Sequence, residues 1–362
     1  MKILLNYFSM KHANLYFDAA ASTPLHPEVW AEMEKFREIF GNNNSKHFQG
    51  FEAQKVITTS LQKIADILGV APEQLHITYS GTDSNRRFLW ACERKFSRKN
   101  IWASFVEHSS IKDEILETNF FSPREPLEIL AKKQPQVVCL MKANSETGEI
   151  FNSRKIRAKF PDAIILEDWA QAFGKGLKFE TDGVDAISFA PQKIYGPKMV
   201  GLLYLKTPRN FPEISGDRHT KNPWLVAGMA KAFEIAAREE SETVEKLSRW
   251  QKQIEEYIIQ NIPHHKIHSE NFARIPGTIS VAFHGIRGAE LMAVLSKEER
   301  ICVSTGSACS SDIMVPTDTI KFMENDPSWQ FPIRISLHKF LQDEDIEYFC
   351  EALENYVGEL RR

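Results

Sequence analysis

Short apolar runs alternate with polar or helix-periodic segments over the first part of the chain. Two helices are predicted first, over 27–40 and over 53–68, the second ended by Gly69. Strand-like runs then follow at 75–79, 101–105, 137–141, 163–166, 186–189 and 202–205. Alternating strands and helices predict an α/β fold with a mostly parallel sheet, whose ligand chemistry lies in the loops after the strands.

The later part of the chain begins with helical periodicity over 227–262, which predicts one long helix ending before Pro263. Beyond it, segments at 278–283, 290–295, 301–304, 333–337 and 346–360 predict strands backed by helices. Chain ends often meet in a folded protein. We therefore predict a large domain over 16–255 and a smaller α/β domain formed by 1–15 and 256–362.

Length and charge narrow the class of protein. A chain of 362 residues exceeds what one hydrophobic core usually serves, and 43% hydrophobic with 26% charged residues is typical of a globular enzyme. The formal net charge of −3 gives no electrostatic reason to expect nucleic acid or an anionic membrane as a partner. No apolar run approaches the length of a membrane span.

Cysteine use and the first residues indicate the compartment. The five cysteines have no paired spacing, which favours a reducing environment over a disulfide scaffold. The N-terminal apolar stretch is interrupted by Asn6 and Lys11, so it is a poor signal peptide. We expect a cytoplasmic protein. Histidines at 264, 265 and 268 lack a cysteine or carboxylate at ligand spacing, and no metal site is predicted.

A turn around Lys193 separates two of the predicted strands. Pro191, Gly196, Pro197 and Gly201 disfavour regular structure between the runs at 186–189 and 202–205. An amine held in a tight turn beside buried strands is partly desolvated, which makes it a better nucleophile toward carbonyl groups. An isolated lysine would be interpreted as a solvated loop residue. The prediction that Lys193 is a nucleophile therefore depends on other polar segments of the chain.

Polar segments follow several of the predicted strands directly. They are 80–85 (SGTDSN), 107–110 (EHSS), 144–148 (NSETG), 167–171 (EDWAQ) and the Lys193 turn. Each one alone has an ordinary explanation as a helix cap or a structural histidine. Together, at the strand ends of a doubly wound sheet, they indicate one ligand site.

In these segments, and in 16–24 (YFDAAASTP), 41–47, 305–311 (TGSACSS) and 334–337 (RISL), the chain resembles the class V branch of the pyridoxal-phosphate (PLP) aminotransferase superfamily. Within that branch it is most similar to the cysteine desulfurases, over nearly its whole length. The resemblance implies PLP-dependent transferase fold type I, with a seven-stranded sheet flanked by helices in the large domain, and PLP as the cofactor.

The resemblance also assigns roles around the ring of the cofactor. Lys193 would form the Schiff base, and Asp168 would keep the pyridine nitrogen protonated so that the ring acts as an electron sink. His108 would lie over the ring and shuttle protons, while Gln171 would donate to the phenolic oxygen.

Other residues would bind the phosphate and the substrate, L-cysteine. Backbone amides at Gly81 and Thr82 would hold the phosphate at a helix N-terminus, with help from the Gln192 amide. Thr220 matches a threonine that in the family reaches the phosphate of the partner subunit, which implies a homodimer. The α-carboxylate of the substrate would be oriented by two further residues, Asn144 and Arg334.

Cys309 matches the family's sulfur-accepting cysteine. Its neighbours over 306–311 are all small, which suits a mobile loop and an accessible thiol. The other four cysteines lie in apolar contexts, where a cysteine behaves as a small hydrophobe. The predicted reaction leaves a persulfide on Cys309 and releases alanine, and the sulfur then passes to an acceptor protein.

The departures from the family pattern cluster around the phosphate. The family has Ser-x-His-Lys at the lysine turn, where this chain has Ala190, Pro191, Gln192 and Lys193. The loop at 80–83 is one residue short, and Trp169 replaces a small residue. Each lost hydrogen bond costs about 1 kcal/mol, so we expect weaker PLP binding and partial PLP occupancy.

Two kinds of alternative stay open. One keeps PLP but changes the reaction, giving an aminotransferase, a selenocysteine lyase or another C–S lyase of the same branch. The other is a cofactor-poor, non-catalytic sulfur-relay or scaffold protein. The changed phosphate residues favour the second alternative, and the intact set of Lys193, Asp168 and His108 opposes it.

Overall fold

A computed structural model describes the chain over residues 15–125, 127–216, 219–306 and 315–362. Within these ranges the strands are β1 (Leu75–Thr78), β2 (Ile101–Ser104), β3 (Phe120–Phe121), β4 (Val137–Cys139), β5 (Ile164–Asp168), β6 (Ala186–Phe189), β7 (Gly201–Leu205), β8 (His265–Ile267), β9 (Thr278–Phe283) and β10 (Ile333–Ser336).

The helices of the same ranges lie mostly between these strands. They are α1 (Pro27–Glu34), α2 (Phe48–Leu68), α3 (Gly81–Glu93), α4 (Ser109–Lys112), α5 (Leu127–Ala131), α6 (Ser153–Lys159), α7 (Pro212–Ser215), α8 (Pro223–Arg238), α9 (Glu240–Asn261), α10 (Gly288–Glu299), α11 (Asp318–Met323) and α12 (Asp343–Leu360).

Seven strands form one mostly parallel sheet in the order β1-β7-β6-β5-β4-β2-β3. The pairs from β6 to β3 are parallel, and β7 runs antiparallel to both β6 and β1. Because β7 is antiparallel to both of its neighbours, β1 runs in the same direction as β6. The carboxyl ends of β1, β2, β4, β5 and β6 therefore lie at one edge of the sheet, where an α/β fold binds its ligands. The predicted fold class is confirmed.

The second sheet has three antiparallel strands in the order β10-β9-β8. Its core contains Phe17 from the N-terminal segment, Trp250 and Ile254 from α9, and Phe349 from α12. The side chains of the large sheet belong to two apolar clusters. One contains residues of α2 and α8, and the other contains residues of α3. An apolar core on each sheet explains why a chain of this length does not form a single core.

The single helix predicted over 227–262 is wrong. The structure has two helices, α8 and α9, and Glu239 between them leaves the helical conformation at φ −105° and ψ 7°. No glycine or proline marks this break, so periodicity alone does not detect it. The Glu239 carboxylate is bound by Lys339 at 2.6 Å, a contact from a distant segment that stabilises the break.

Smaller differences concern the shortest elements. Strand β3 has only two residues and was not predicted, and the segment 301–304 forms isolated bridges rather than a strand. The helix predicted over 27–40 ends at Glu34. Among the described residues, the helices contain no stretch with the length and hydropathy that a membrane span requires.

Candidate active site

Five polar segments meet at the carboxyl edge of the large sheet because each follows a strand that ends there. Ser80 follows β1 and caps α3, accepting a hydrogen bond from the amide of Asp83 at 3.1 Å. His108 follows β2 and caps α4, Asp168 is the last residue of β5, and Lys193 lies in a 3₁₀ turn after β6. The predicted convergence is thus observed.

These segments line one cavity of about 190 Å³. Eight predicted site residues contribute to its lining. They are Gly81, Thr82, His108, Asp168, Gln171, Gln192, Lys193 and Arg334. The amine of residue 193 and the carboxylate of residue 168 therefore face one space, as a single bound ring would require.

The Asp168 carboxylate is buried, with 6% of the residue exposed. One oxygen, Oδ1, accepts from the backbone N–H of Ala170 at 2.8 Å, and Oδ2 accepts from Nδ2 of Asn85 at 2.9 Å. Each oxygen of an ionised carboxylate can accept more than one hydrogen bond. Asp168 therefore keeps the capacity to accept from a protonated ring nitrogen in the cavity.

Two residues of the site that the sequence analysis did not single out connect Asp168 to His108. Asn85 also donates from Nδ2 to Oγ of Ser110 at 2.9 Å, and Ser110 Oγ lies 2.9 Å from Nδ1 of His108. Both residues stand inside the segments 80–85 and 107–110 that were recognised as polar. The spacing of Asn85 could have identified it as a site residue, because it lies one helical turn after Gly81 and therefore on the same face of the helix.

The Lys193 turn is held by the N-terminal segment. Thr23 donates from its amide and its hydroxyl to the carbonyl of Gln192, at 2.8 and 2.9 Å, and its hydroxyl accepts from the amide of Tyr195. The amide of Lys193 donates to the carbonyl of Ala190 at 2.9 Å. These bonds fix the backbone that carries the candidate nucleophile.

Gln171 is buried beside this turn. Its Nε2 donates to the carbonyl of Ala20, and its Oε1 accepts from Nζ of Lys175, both at 2.7 Å. Burial, together with the charges of Lys193 and Arg334, lowers the pKa of Lys175 to about 7. Lys175 is therefore a second amine close to the cavity that the sequence analysis missed.

Arg334 on β10 enters the cavity from the smaller sheet and is 3% exposed. Its Nη2 donates to Oδ1 of Asp18 at 2.5 Å, and its Nη1 donates to the carbonyl of Ser145 at 3.0 Å. These two contacts orient the guanidinium. Its Nε is buried without a hydrogen-bond partner among the described residues, and each terminal nitrogen keeps a second N–H, so the guanidinium retains donors for a ligand.

Asn144 does not line the cavity. Its Nδ2 donates to the carbonyl of Val106 at 3.1 Å, and its Oδ1 accepts from the amides of Glu146 and Thr147, both at 2.9 Å. The side chain therefore shapes the loop whose Ser145 carbonyl contacts Arg334. Its predicted contact with the substrate carboxylate stays a prediction.

The end of the cavity next to the N-terminus of α3 is lined by neutral residues. They are Ser80, Gly81, Thr82, Ala190 and Gln192. The first N–H groups of a helix have no partner within the helix and point at its N-terminus, which favours an anion there. A Cβ on Gly81 would lie 3.2 Å from Cβ of Ala190, so the two segments are in close contact.

Burial also raises the pKa of Glu107 to about 8. Its Oε1 accepts from the hydroxyl of Ser104 at 2.5 Å and from the amide of Met141 at 2.7 Å, which joins the loops after β2 and β4. Its Oε2 is buried without a partner among the described residues. A protonated carboxyl group at neutral pH follows from this environment.

Trp169, one of the departures from the family, lies outside the cavity. Its ring is 2% exposed and packs in the core near Phe179 and Phe189, and its Nε1 donates to Oε2 of Glu167 at 2.6 Å. The large side chain therefore leaves the space beside Asp168 open.

Besides Asn144, one further described site residue is not part of the cavity lining. Thr220 is exposed and accepts from Nδ2 of Asn42 at 3.0 Å. Cys309 lies outside the described residues. Of the other cysteines, Cys92, Cys139 and Cys350 are buried and Cys302 is partly exposed. Burial raises the pKa of all four thiols, which disfavours the thiolate form.

One group in the described part of the chain has the spacing of metal ligands. His26, Glu28 and Glu239 place three ligand atoms within 4.8 Å of one another. The carboxylate of Glu28 is bound by Arg238 and Lys231, and that of Glu239 by Lys339. Both carboxylates are already neutralised by lysine or arginine, so this cluster is explained as an ion-pair network.

The residues of the cavity fit PLP. An amine, a buried carboxylate with spare acceptor capacity and an imidazole surround one space, and the helix N-terminus of α3 forms one end of it. These are the groups that bond the aldehyde, pair with the ring nitrogen, cover the ring and bind the phosphate.

Comparison with known proteins also indicates a PLP-dependent family. The model of the aminotransferase class-V family matches residues 15–349. The chain is 29% identical to the cysteine desulfurase IscS of Dictyoglomus turgidum, over 96% of this chain and 95% of that protein. It is 27% identical to a cysteine desulfurase of Trichormus azollae, over 96% and 94%.

A solved NifS-like protein has a similar structure, with a TM-score of 0.83 and 27% identity over 96% of this chain and 100% of that one. The sequence match and the structural match both span nearly the whole chain. The protein therefore belongs to the aminotransferase class-V family, within its cysteine desulfurase branch, and is a PLP-dependent enzyme.

Proposed function

We propose that this enzyme is a cysteine desulfurase, which converts L-cysteine to L-alanine and transfers the sulfur to Cys309. The observation that carries the proposal is the single cavity shared by Lys193, Asp168, His108 and Arg334. The relatives that are named cysteine desulfurases support L-cysteine as the substrate.

Substrate binding begins with the carboxylate of L-cysteine at Arg334. The guanidinium is held by Asp18 and Ser145, and a planar fork of donors matches a carboxylate. Asn144 supports this arrangement through the loop that it shapes, which carries the Ser145 carbonyl. The amino group of the substrate is then directed toward Lys193.

Proton transfers fall to the residues around the ring. When bound, PLP supplies an electron sink for bonds to the substrate α-carbon. The buried negative charge of Asp168 holds a proton at the ring nitrogen. With PLP bound, the Lys193 amine would accept the α-proton of the substrate. Gln171, held by Lys175 and Ala20, presents its amide to the same space.

The sulfur step requires a second thiol. The Cys309 thiolate attacks the substrate sulfur, so that an S–S bond forms while the bond between the substrate sulfur and its β-carbon breaks. The β-carbon gains the proton that the substrate thiol loses, which gives alanine. Charge and atoms balance, since a thiolate and cysteine become a persulfide anion and alanine.

The direct test incubates the PLP-loaded protein with L-cysteine and measures alanine together with the mass of the peptide that contains Cys309. We expect alanine and an added sulfur on that peptide. Cys309→Ala is expected to abolish sulfide release and leave PLP bound, whereas the control Cys302→Ala keeps both. Sulfide release by Cys309→Ala at the normal rate would contradict the proposal.

The same assay separates the alternatives. Amino transfer to a keto acid without loss of sulfur would select an aminotransferase, and faster turnover of L-selenocysteine would select a selenocysteine lyase. A protein that binds no PLP would be a sulfur-relay or scaffold protein, the alternative that the changed phosphate residues favour.

We also propose a homodimer. Large apolar side chains are exposed on α1, α2 and the segment between them: Trp30, Phe40, Phe48 and Phe51. Thr220 contacts Asn42 of the same segment, so it lies next to this surface. Exposed apolar clusters often mark protein interfaces. Light scattering should give twice the chain mass of 41.5 kDa, and a single-chain mass would contradict the dimer.

A cytoplasmic location and a sulfur-acceptor protein belong to the same proposal. Cysteines without paired spacing suit a reducing compartment, and a persulfide needs an acceptor to complete the cycle. Transfer of labelled sulfur from Cys309 to a second protein in a cell extract tests the acceptor, and a persulfide that only small thiols discharge would argue against it.

A further inference from the structure

The side chain of Asn85 takes part in a series of hydrogen bonds. The ionised carboxylate of Asp168 determines which atom donates and which accepts in each of them. Asn85 is 1% exposed, and its side chain lies between the carboxylate of Asp168 and the hydroxyl of Ser110. An ionised carboxylate accepts hydrogen bonds and cannot donate them. The amide must therefore present Nδ2 to Asp168, because the opposite orientation would place two acceptor oxygens together.

The two hydrogens of Nδ2 serve two acceptors. One goes to Oδ2 of Asp168 and the other to Oγ of Ser110, both at 2.9 Å. Since Ser110 Oγ accepts from Asn85, its own hydrogen is free to point at Nδ1 of His108, 2.9 Å away. The backbone N–H of Ser110 also donates to Nδ1, at 3.1 Å.

The His108 ring therefore accepts two hydrogen bonds at Nδ1. A neutral imidazole with Nδ1 as the acceptor carries its proton on Nε2. Hydrogen bonds to the neutral form disfavour protonation of the ring. Burial and the charge of Lys193 act in the same direction and lower the pKa of His108, with the charge of Lys112 adding to them and the charges of Asp168 and Asp113 opposing.

We propose that Asn85 is a positioning residue, which joins Asp168 through Ser110 to His108 and holds the His108 ring neutral with its proton on Nε2. This inference rests on the proposed function for its meaning in catalysis. A ring in this state donates at Nε2 and does not accept there. His108 then acts as a hydrogen-bond donor in the cavity, and the role of base is left to Lys193.

The test measures the titration of His108 in protein with ¹⁵N-labelled histidine by nuclear magnetic resonance. The signals of the ring are assigned by their loss in His108→Gln. In the PLP-loaded protein we expect a proton on Nε2 at neutral pH and an acidic titration midpoint. Ser110→Ala removes the hydroxyl donor, and its midpoint is expected to rise by about half a unit or more, since one hydrogen bond is worth about 1 kcal/mol.

Asn85→Asp is the stronger variant, because it removes both donors and places a second carboxyl group beside Asp168. Its His108 midpoint is expected to rise further, and the dissociation constant for PLP is expected to rise about tenfold, the effect of losing one charge-assisted hydrogen bond. The matched control is Ser84→Ala, a buried neighbour on α3 that bonds Thr78 and lies outside the cavity lining. It should leave both quantities unchanged.

The outcomes decide between the inference and the proposed function. A proton on Nδ1, or a midpoint in Ser110→Ala equal to that of the unmodified protein, would overturn the inference. If Asn85→Asp does not fold, Ser110→Ala decides alone. Because the titration needs no turnover, a protein that fails to desulfurate cysteine still tests the inference, and a protein without PLP is titrated as it is.

Discussion

The two ends of the cavity are built differently. At the ring end, Asp168, Asn85, Ser110 and His108 are joined by successive hydrogen bonds between side chains. At the phosphate end, the lining consists of Ser80, Gly81, Thr82, Ala190 and Gln192, where the family's serine and histidine are replaced. The ring end needs particular side chains at fixed positions for chemistry, whereas backbone amides alone can hold an anion.

This difference indicates which part of the site tolerates amino-acid substitutions. A phosphate contributes binding energy through several donors, so the loss of one reduces affinity by a modest factor. A proton-transfer group has no substitute, since its position and charge state both matter. Relative to the family pattern, the chain keeps the groups at the ring end and varies those that bind the phosphate.

The largest effect is expected for Lys193→Ala at the ring end. Without this amine the cofactor has no covalent attachment and the substrate α-proton has no base, so alanine formation should fall by about a thousandfold or more. Bound PLP should also lose the absorbance of its bond to the protein. Lys178→Ala, an exposed lysine, serves as the control. Retained turnover in Lys193→Ala would place the chemistry elsewhere.

Asp168→Asn should reduce the rate by about a hundredfold, because a neutral amide no longer stabilises a proton on the ring nitrogen. The amide keeps nearly the same shape, so PLP should still bind. Absorbance of the bound cofactor across pH measures the change at the ring, and turnover measures its consequence. An unchanged rate with bound PLP would show that the carboxylate is not the partner of the ring.

The phosphate end should respond in the opposite direction. Ala190→Ser restores a hydroxyl donor that the family has, and it is expected to tighten PLP binding by about fivefold, for roughly 1 kcal/mol per hydrogen bond. The rate at saturating PLP should not change. Titration of cofactor-free protein with PLP measures the affinity. The unmodified protein should be purified with partial PLP occupancy, and full occupancy would contradict the idea of a weakened phosphate site.

Glu107, which joins the loops after β2 and β4, is expected to affect stability rather than turnover. Its pKa of about 8 in the folded protein lies above the ordinary value of 4.5. As the pH rises from about 4.5 to about 8, the unfolded chain loses this proton and the folded protein keeps it. Stability therefore falls with rising pH, by at most about 1.4 kcal/mol per pH unit from this group.

Glu107→Gln should remove that contribution, because the neutral amide does not titrate. Urea unfolding at several pH values between these limits measures the slope. The exposed carboxyl group of Glu117, changed to glutamine, provides the control. Equal slopes in the Glu107→Gln variant and the unmodified protein would mean that Glu107 is already ionised in the fold.

The sequence alone determined most of the order of strands and helices. It also determined the turn at Lys193 and the polar residues that follow the strands. Local rules suffice for them, since apolar runs form strands and proline with glycine ends them. The same local pattern brought Gly81, His108, Asp168 and Lys193 to one sheet edge, because parallel strands end on the same side.

Only the tertiary structure decided the remaining features. At the helix break, Glu239 is bound by Lys339, and the Asn144 side chain is held by the carbonyl of Val106. The link from Asp168 to His108 depends on Asn85 of α3 and Ser110 of α4. In each case the partners are distant in sequence, and a hydrogen bond between distant segments exists only after packing has placed both groups within about 3 Å.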